Sequence, residues 1–236
     1  MGDLVPVTSD GPEATAVPPP KMLPMGMHAV GAQRREPVDS LDDFPTHPWA
    51  TRALAEYVLD LKGQRVWECA CNRGYMARPL AEYAAEVIAT DVFDHGFGGL
   101  YDFLSVGDLL GAELPFDGVI DWVITNPPFN EIEAFLDRAV IVARRGVAFF
   151  GRLQLLESIG RYGAIWSPEA PHYGRTTFAP FVERVPLVKG RIDRTATTTT
   201  AYAWMVIDKR FPRAPLIHIP PCRAKLERDT DYPEAA

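Results

Sequence analysis

The chain predicts an α/β fold, with a mainly parallel, doubly wound sheet and helices on both faces, and three observations predict it. Short apolar runs rich in β-branched and aromatic residues alternate with segments of helical periodicity. Several runs end in a polar residue, as buried parallel strands do at their C-terminal edge. A length of 236 residues, 47% hydrophobic and 23% charged, suits one domain with a substantial core rather than two.

The elements follow in order. Residues 1–40 carry Pro6, Pro12, Pro18, Pro19, Pro20, Pro24 and Pro37 and little periodicity, so a disordered tail is expected there. The folded domain is expected over 41–208. Leu54, Tyr57, Val58 and Leu61 have the spacing of an amphipathic helix, which Lys62-Gly63 should end. Arg65–Glu68 reads as a strand, Cys69–Gly74 as a turn, and the residues through Leu80 and Tyr83 as a second helix, with Pro79 tolerable only near its start. Val87–Asp91, Val119–Thr125 and Val147–Phe150 read as strands, and Ile132–Ala143 as a helix. Residues 153–183 read as irregular, and Val185–Val188 and Tyr202–Ile207 as strands at the far edge. A loosely held tail is expected over 209–236.

Composition excludes several classes of function. The longest apolar runs fall far short of the roughly 20 residues that span a bilayer, and no basic, apolar leader opens the chain, so the cytoplasm is expected. Cys69, Cys71 and Cys222 are odd in number and lack zinc-ribbon spacing, and the five histidines are scattered, so no metal is expected and buried thiols are. The net charge of −7 is awkward for a nucleic-acid partner, but it is unevenly spread. Residues 1–137 hold 22 acids against 8 bases, whereas residues 138–194 hold 10 bases against 4 acids. A basic face on an acidic chain is therefore available.

In open α/β sheets ligands bind beyond the C-terminal ends of the strands, and three features fall there. Asn72 and Gly74, in the turn after the first strand, are residue types that accept left-handed backbone and let a ligand approach the main chain. Asp91, about 20 residues further on, suits the two hydroxyls of a ribose, or equally a cap on the next helix. The third is Asn126-Pro127-Pro128-Phe129. Two prolines stiffen the chain and remove two donors, so the Asn carboxamide and nearby carbonyls become fixed acceptors. Those acceptors suit an amino group on an aromatic ring, and Phe129 offers that ring a flat surface.

With these residues the chain resembles the S-adenosylmethionine-dependent amino-methyltransferases, and among them the small adenine-N6 DNA methyltransferases of bacteria and phages. The resemblance runs from about Phe44 to Ile207. Phe44–Trp49 resembles the segment beside the methionine end of the cofactor, which implicates Thr46 and Trp49. Glu68–Gly74 resembles the Glu-Pro-Ala-Ala-Gly-x-Gly loop, Asp91 the ribose acid, and Asp102-Phe103-Leu104 the segment whose acid approaches the cofactor adenine. Asn126–Phe129 matches the catalytic Asn-Pro-Pro-Phe. The loop departs in having Cys for Pro and Asn for the first Gly, and Thr46 is followed by His47 rather than Pro.

The resemblance implies a Rossmann-like methyltransferase fold, S-adenosyl-L-methionine as cofactor, and methylation of adenine in DNA. The base would be flipped out, stacked on Phe129, and held by Asn126 and the Pro127 carbonyl. Within the basic segment 153–194 and just before it, Arg152, Arg161, Arg175, Arg184, Arg191 and Arg194 are candidates for phosphate contacts. Two other readings stay open: methylation of an RNA base or a protein glutamine, and a non-catalytic cofactor- or DNA-binding accessory protein of a phage.

Overall fold

The computed structural model describes residues 43–93, 95, 97, 109–111, 116 and 118–232. The expected tail over 1–40, the glycines at 96, 98 and 99, and Asp102-Phe103-Leu104 lie outside the described residues.

Helix α1 (Pro48–Tyr57) leads into β1 (Arg65–Glu68), α2 (Ala77–Leu80) and β2 (Glu86–Ala89). After β3 (Trp122–Thr125) come α3 (Ile132–Val142), β4 (Gly146–Arg152) and a single turn α4 (Ile159–Arg161). Strands β5 (Thr176–Pro180) and β6 (Tyr202–Asp208) and the short α5 (Arg223–Leu226) complete the order. The six strands form one sheet in the order β2-β1-β3-β4-β6-β5. β2, β1, β3 and β4 run parallel, and β6 runs antiparallel to both β4 and β5.

The side-chain period of two sorts each strand between two apolar layers. Ala148 and Phe150 of β4, and Trp204 and Val206 of β6, join α1 and α2 on one face. Val147 and Phe149, and Met205 and Ile207, join Phe135, Leu136 and Ala139 of α3 on the other. Both faces are covered, which is why these strands read as continuous apolar runs.

Four expectations differ from the structure. The first helix ends at Tyr57, well before Gly63, yet Leu59 and Leu61 stay buried: an extended connection continues the apolar spacing. Val185–Val188 is not a strand; Pro186 has no N–H to donate, and Val188 makes a single bridge to Arg191. The edge strand is β5, inside the segment expected to be irregular, and β6 lies between β5 and β4 rather than at the edge. The residues after Lys209 are held firmly. Leu216 bridges Phe178, Ile219 bridges Phe181, and Ile219, Cys222 and Leu226 are buried.

The crossover sets the position of the site. From β1 the chain moves outward to β2, then returns to β3 on the other side of β1. The C-terminal ends of β1 and β3 therefore diverge into loops on opposite faces, leaving a crevice between them.

Candidate active site

A cavity of about 310 Å³ fills that crevice, lined by residues following β1, β2 and β3 and by the segment before α1. Its floor is the loop after β1. Asn72 takes φ +50° and Gly74 φ +78°, and a Cβ on Gly74 would lie 1.9 Å from the Phe97 ring, so glycine is required there. Asn72 is held from both sides. Its backbone N–H donates to Asp91 Oδ2 at 2.8 Å, and its Nδ2 donates to Asp43 Oδ1 at 2.7 Å. Asp91 Oδ1 also accepts from the Phe93 N–H at 3.1 Å. The carboxylate thus ties the two loops together while still lining the cavity.

Glu68, the last residue of β1, is 1% exposed and lines the same cavity. Oε1 accepts from the Ala70 N–H at 3.1 Å, whereas Oε2 has no hydrogen-bond partner of good geometry among the described residues. Burial pushes its carboxyl up to about 8, against the nearby Thr125 hydroxyl and the Ala70 N–H, which favour the ionised form. The Thr46 hydroxyl, also on the cavity wall, is likewise buried without a partner among the described residues. Buried polar atoms left unsatisfied are costly, and these two belong to residues that line one cavity. Cys69 and Cys71 line it as buried thiols, and burial raises the Cys69 thiol.

Two residues from the sequence lie elsewhere. Trp49 does not line the cavity; it is fully buried in the core against the edge of Phe181, 5.7 Å between ring centres. Gly74 shapes the loop through its backbone, its N–H donating to the Cys71 carbonyl at 2.7 Å. His47, standing where the resembled motif has Pro, is fully buried with Nδ1 3.2 Å from the Tyr232 hydroxyl. Burial, helped by the Arg223 charge, pushes it down to about 4, so it is neutral.

Asn126 follows β3 directly and stands between two cavities. It lines the large one, and with Phe44 it also lines a pocket of about 30 Å³ bounded by Pro127, Phe129, Arg152 and Tyr202. Nδ2 donates to the Phe44 carbonyl at 2.9 Å, which fixes the carboxamide plane and leaves Oδ1 as its acceptor. The small pocket is closed by the Arg152 guanidinium lying 5.0 Å from the Phe129 ring centre, and Tyr202 stacks on Phe150 within 5° of parallel. Asp43 was missed in the sequence, and Phe44 was seen only as the start of the resembled segment, because their contributions are a carboxylate on a loop and a main-chain carbonyl. Neither has a residue-type signature.

The six arginines separate by position. Arg152 ends β4 and Arg184 is exposed just beyond β5, both at the Asn126 edge of the sheet. Arg191 is exposed and paired with Asp193 at 3.2 Å. The other three make contacts within the protein. Arg161 spends its donors on the carbonyls of Gln154, Leu155 and Glu157 and on Glu133. Arg194 is paired with Glu227 and Asp229. Arg175 precedes β5 at the opposite end of the sheet and donates to the Lys209 carbonyl at 2.6 Å. Among the described residues no group of three or more His, Cys, Asp or Glu could hold a metal ion, and no helix is long and apolar enough to cross a membrane.

By sequence the chain matches no family profile and no curated protein. Solved structures it is similar to include the 23S rRNA methyltransferase ErmE, at 16% identity and TM-score 0.47, covering 72% of this chain and 71% of that one. A dimethyladenosine transferase from Plasmodium falciparum has 14% identity and TM-score 0.45, covering 70% of this chain and 62% of that one. Magnesium protoporphyrin IX methyltransferase from Synechocystis, solved with bound S-adenosylmethionine, has 18% identity and TM-score 0.40, covering 67% and 76%.

Proposed function

We propose that the protein transfers a methyl group from S-adenosylmethionine to the exocyclic amino nitrogen of adenine in DNA, acting on a base turned out of the duplex. One observation carries this reading. Asn126 is shared by two cavities, and its carboxamide is pinned by Phe44 so that Oδ1 can accept a hydrogen bond at their junction.

The residues of the large cavity fit the cofactor. Asp91 suits the ribose hydroxyls, and Thr46 Oγ1 and Glu68 Oε2 suit the amino acid end, whose ammonium would draw off the proton that burial keeps on Glu68. When bound, the cofactor supplies an electrophilic methyl group with its own leaving group, so the protein needs no nucleophile of its own. On the other side, Asn126 Oδ1 and the Pro127 carbonyl accept from the adenine amino group and hold its nitrogen toward the large cavity. Phe129 takes the ring, with Arg152 moving off its face. Arg152, Arg184 and Arg191 would meet phosphates.

The test is to incubate the protein with methyl-labelled S-adenosylmethionine and DNA, RNA and protein acceptors, then digest each acceptor. Label in N6-methyladenine from DNA is expected, and it should disappear with Asn126→Ala. Label confined to RNA or to glutamine would overturn the substrate assignment; failure of the folded protein to bind the cofactor in calorimetry would overturn the whole reading.

A further inference from the structure

The small pocket beside Asn126 is too tight for the base it would hold. Its volume of about 30 Å³ is on the scale of one water molecule, and a purine with two fused rings has no room there. Most of its walls cannot give way. Phe150 and Ile132 are buried in the core, and Tyr202 is held in register opposite Arg152 and stacks within 5° of parallel on Phe150. The ring of Pro127 fixes its own backbone.

Arg152 is the exception. It is half-buried at the end of β4 and lays its guanidinium 5.0 Å from the centre of the Phe129 ring. That ring is the surface on which the base would stack. A guanidinium is planar and settles on aromatic faces as a base does, so the two compete for one place. Arg161 and Arg194 spend their charge on carbonyls and carboxylates. Among the described residues Arg152 has no carboxylate within ion-pair distance, and its charge rests on the ring instead. Charge-assisted, bidentate hydrogen bonds to a phosphate are stronger than such a contact. With a long unbranched stem, the side chain can swing outward without moving β4.

We infer that Arg152 is a specificity gate: it holds the place of the target base in the free protein and leaves it for a phosphate of the nucleic acid, so that a base on a polyanionic strand is admitted and a free nucleoside is rejected. The inference rests on the function proposed above. Displacing the guanidinium lowers the affinity of any entering base by about two- to thirtyfold. A strand makes up that loss through its phosphates, and a nucleoside has none.

The experiment uses the full chain, labelled S-adenosylmethionine at saturation so that the large cavity is filled, DNA as acceptor, and adenosine as inhibitor competing with DNA. Arg152→Ala should lower the inhibition constant of adenosine by about two- to thirtyfold. Damage to the fold would weaken inhibition, so a gain in affinity has no such origin. The same variant should lower the slope of log K against log salt for DNA by about 1, as one phosphate contact is lost, and Arg152→Lys, which keeps the charge, should keep the slope. An inhibition constant that is unchanged or raised would overturn the gate, since Arg152 would not stand where the base goes. A tighter adenosine with an unchanged slope would overturn release by phosphate. Wild-type protein that methylates free adenosine as readily as DNA would overturn the gate and leave methyl transfer standing, whereas wild-type protein that labels no DNA would remove the proposed function and the gate with it.

Discussion

The Asn126 carboxamide carries an NH2 donor group and a carbonyl acceptor, and the fold holds its plane through the bond from Nδ2 to the Phe44 carbonyl. Replacing Asn126 by Ala removes a preorganised acceptor that matters chiefly as the amino nitrogen reacts. Turnover is expected to fall about 10²–10³-fold, the scale seen when one fixed polar contact to a transition state is lost. Cofactor affinity by calorimetry should stay within a factor of about two; a parallel loss of affinity would make Asn126 a cofactor residue instead. Glu68 gives a second expectation, with a defined sign. Its folded carboxyl titrates at about 8 against an ordinary value of 4.5, so the fold keeps a proton that the unfolded chain releases. That stability is complete below the unfolded value and is lost as pH rises through the folded one. Glu68→Gln should therefore raise the melting temperature near pH 9 and change it little near pH 4. Melting curves that shift equally at both would remove Glu68 as the titrating group. The left-handed Asn72 was legible in the sequence from residue type and position alone. The partnerless oxygens of Glu68 and Thr46 were not, because satisfaction of a polar atom depends on everything packed around it.

Among the elements, the parallel strands were legible because each is apolar and ends at a loop bearing polar residues. β5 was not: five residues ending in Pro180, among glycines and aromatics, carry no periodicity, and their partner β6 lies more than twenty residues further on. The arginines show the same limit at the scale of a segment. Sequence gives a count of charges in 138–194 but not which of them are already occupied. Affinity for duplex DNA, titrated with salt, should show this. Arg184→Gln should lower the slope of log K against log salt by about 1, as loss of one phosphate contact does. Arg161→Gln should leave the slope unchanged and instead speed proteolysis between Leu153 and Arg161, since four hydrogen bonds that fasten that turn are removed. A lowered slope for Arg161→Gln would return it to the binding face.

Across the whole molecule, the helical start and the C-terminal segment are locked by one buried cation. Arg52, 3% exposed, donates to both oxygens of Glu82, both oxygens of Asp231 and the Leu226 carbonyl. This is why residues expected to hang loose are packed: an Arg in the middle of an apolar helix face signals nothing about which distant acids will meet it. Asp231→Ala removes one of the two acids that neutralise that charge and leaves Glu82, so it should cost about 1.5–3 kcal/mol in urea denaturation, the range for losing hydrogen bonds to a charged group; a cost below about 1 kcal/mol would mean that the contact is solvated like a surface pair. Asp231 lies 179 residues after Arg52. A ribosome making this chain must release α1, and Glu82 soon after it, long before the second acid that neutralises Arg52 exists. Stalled nascent chains that stop short of Asp231 should accordingly leave α1 open to protease, and the same helix should become resistant once that last stretch has cleared the exit tunnel.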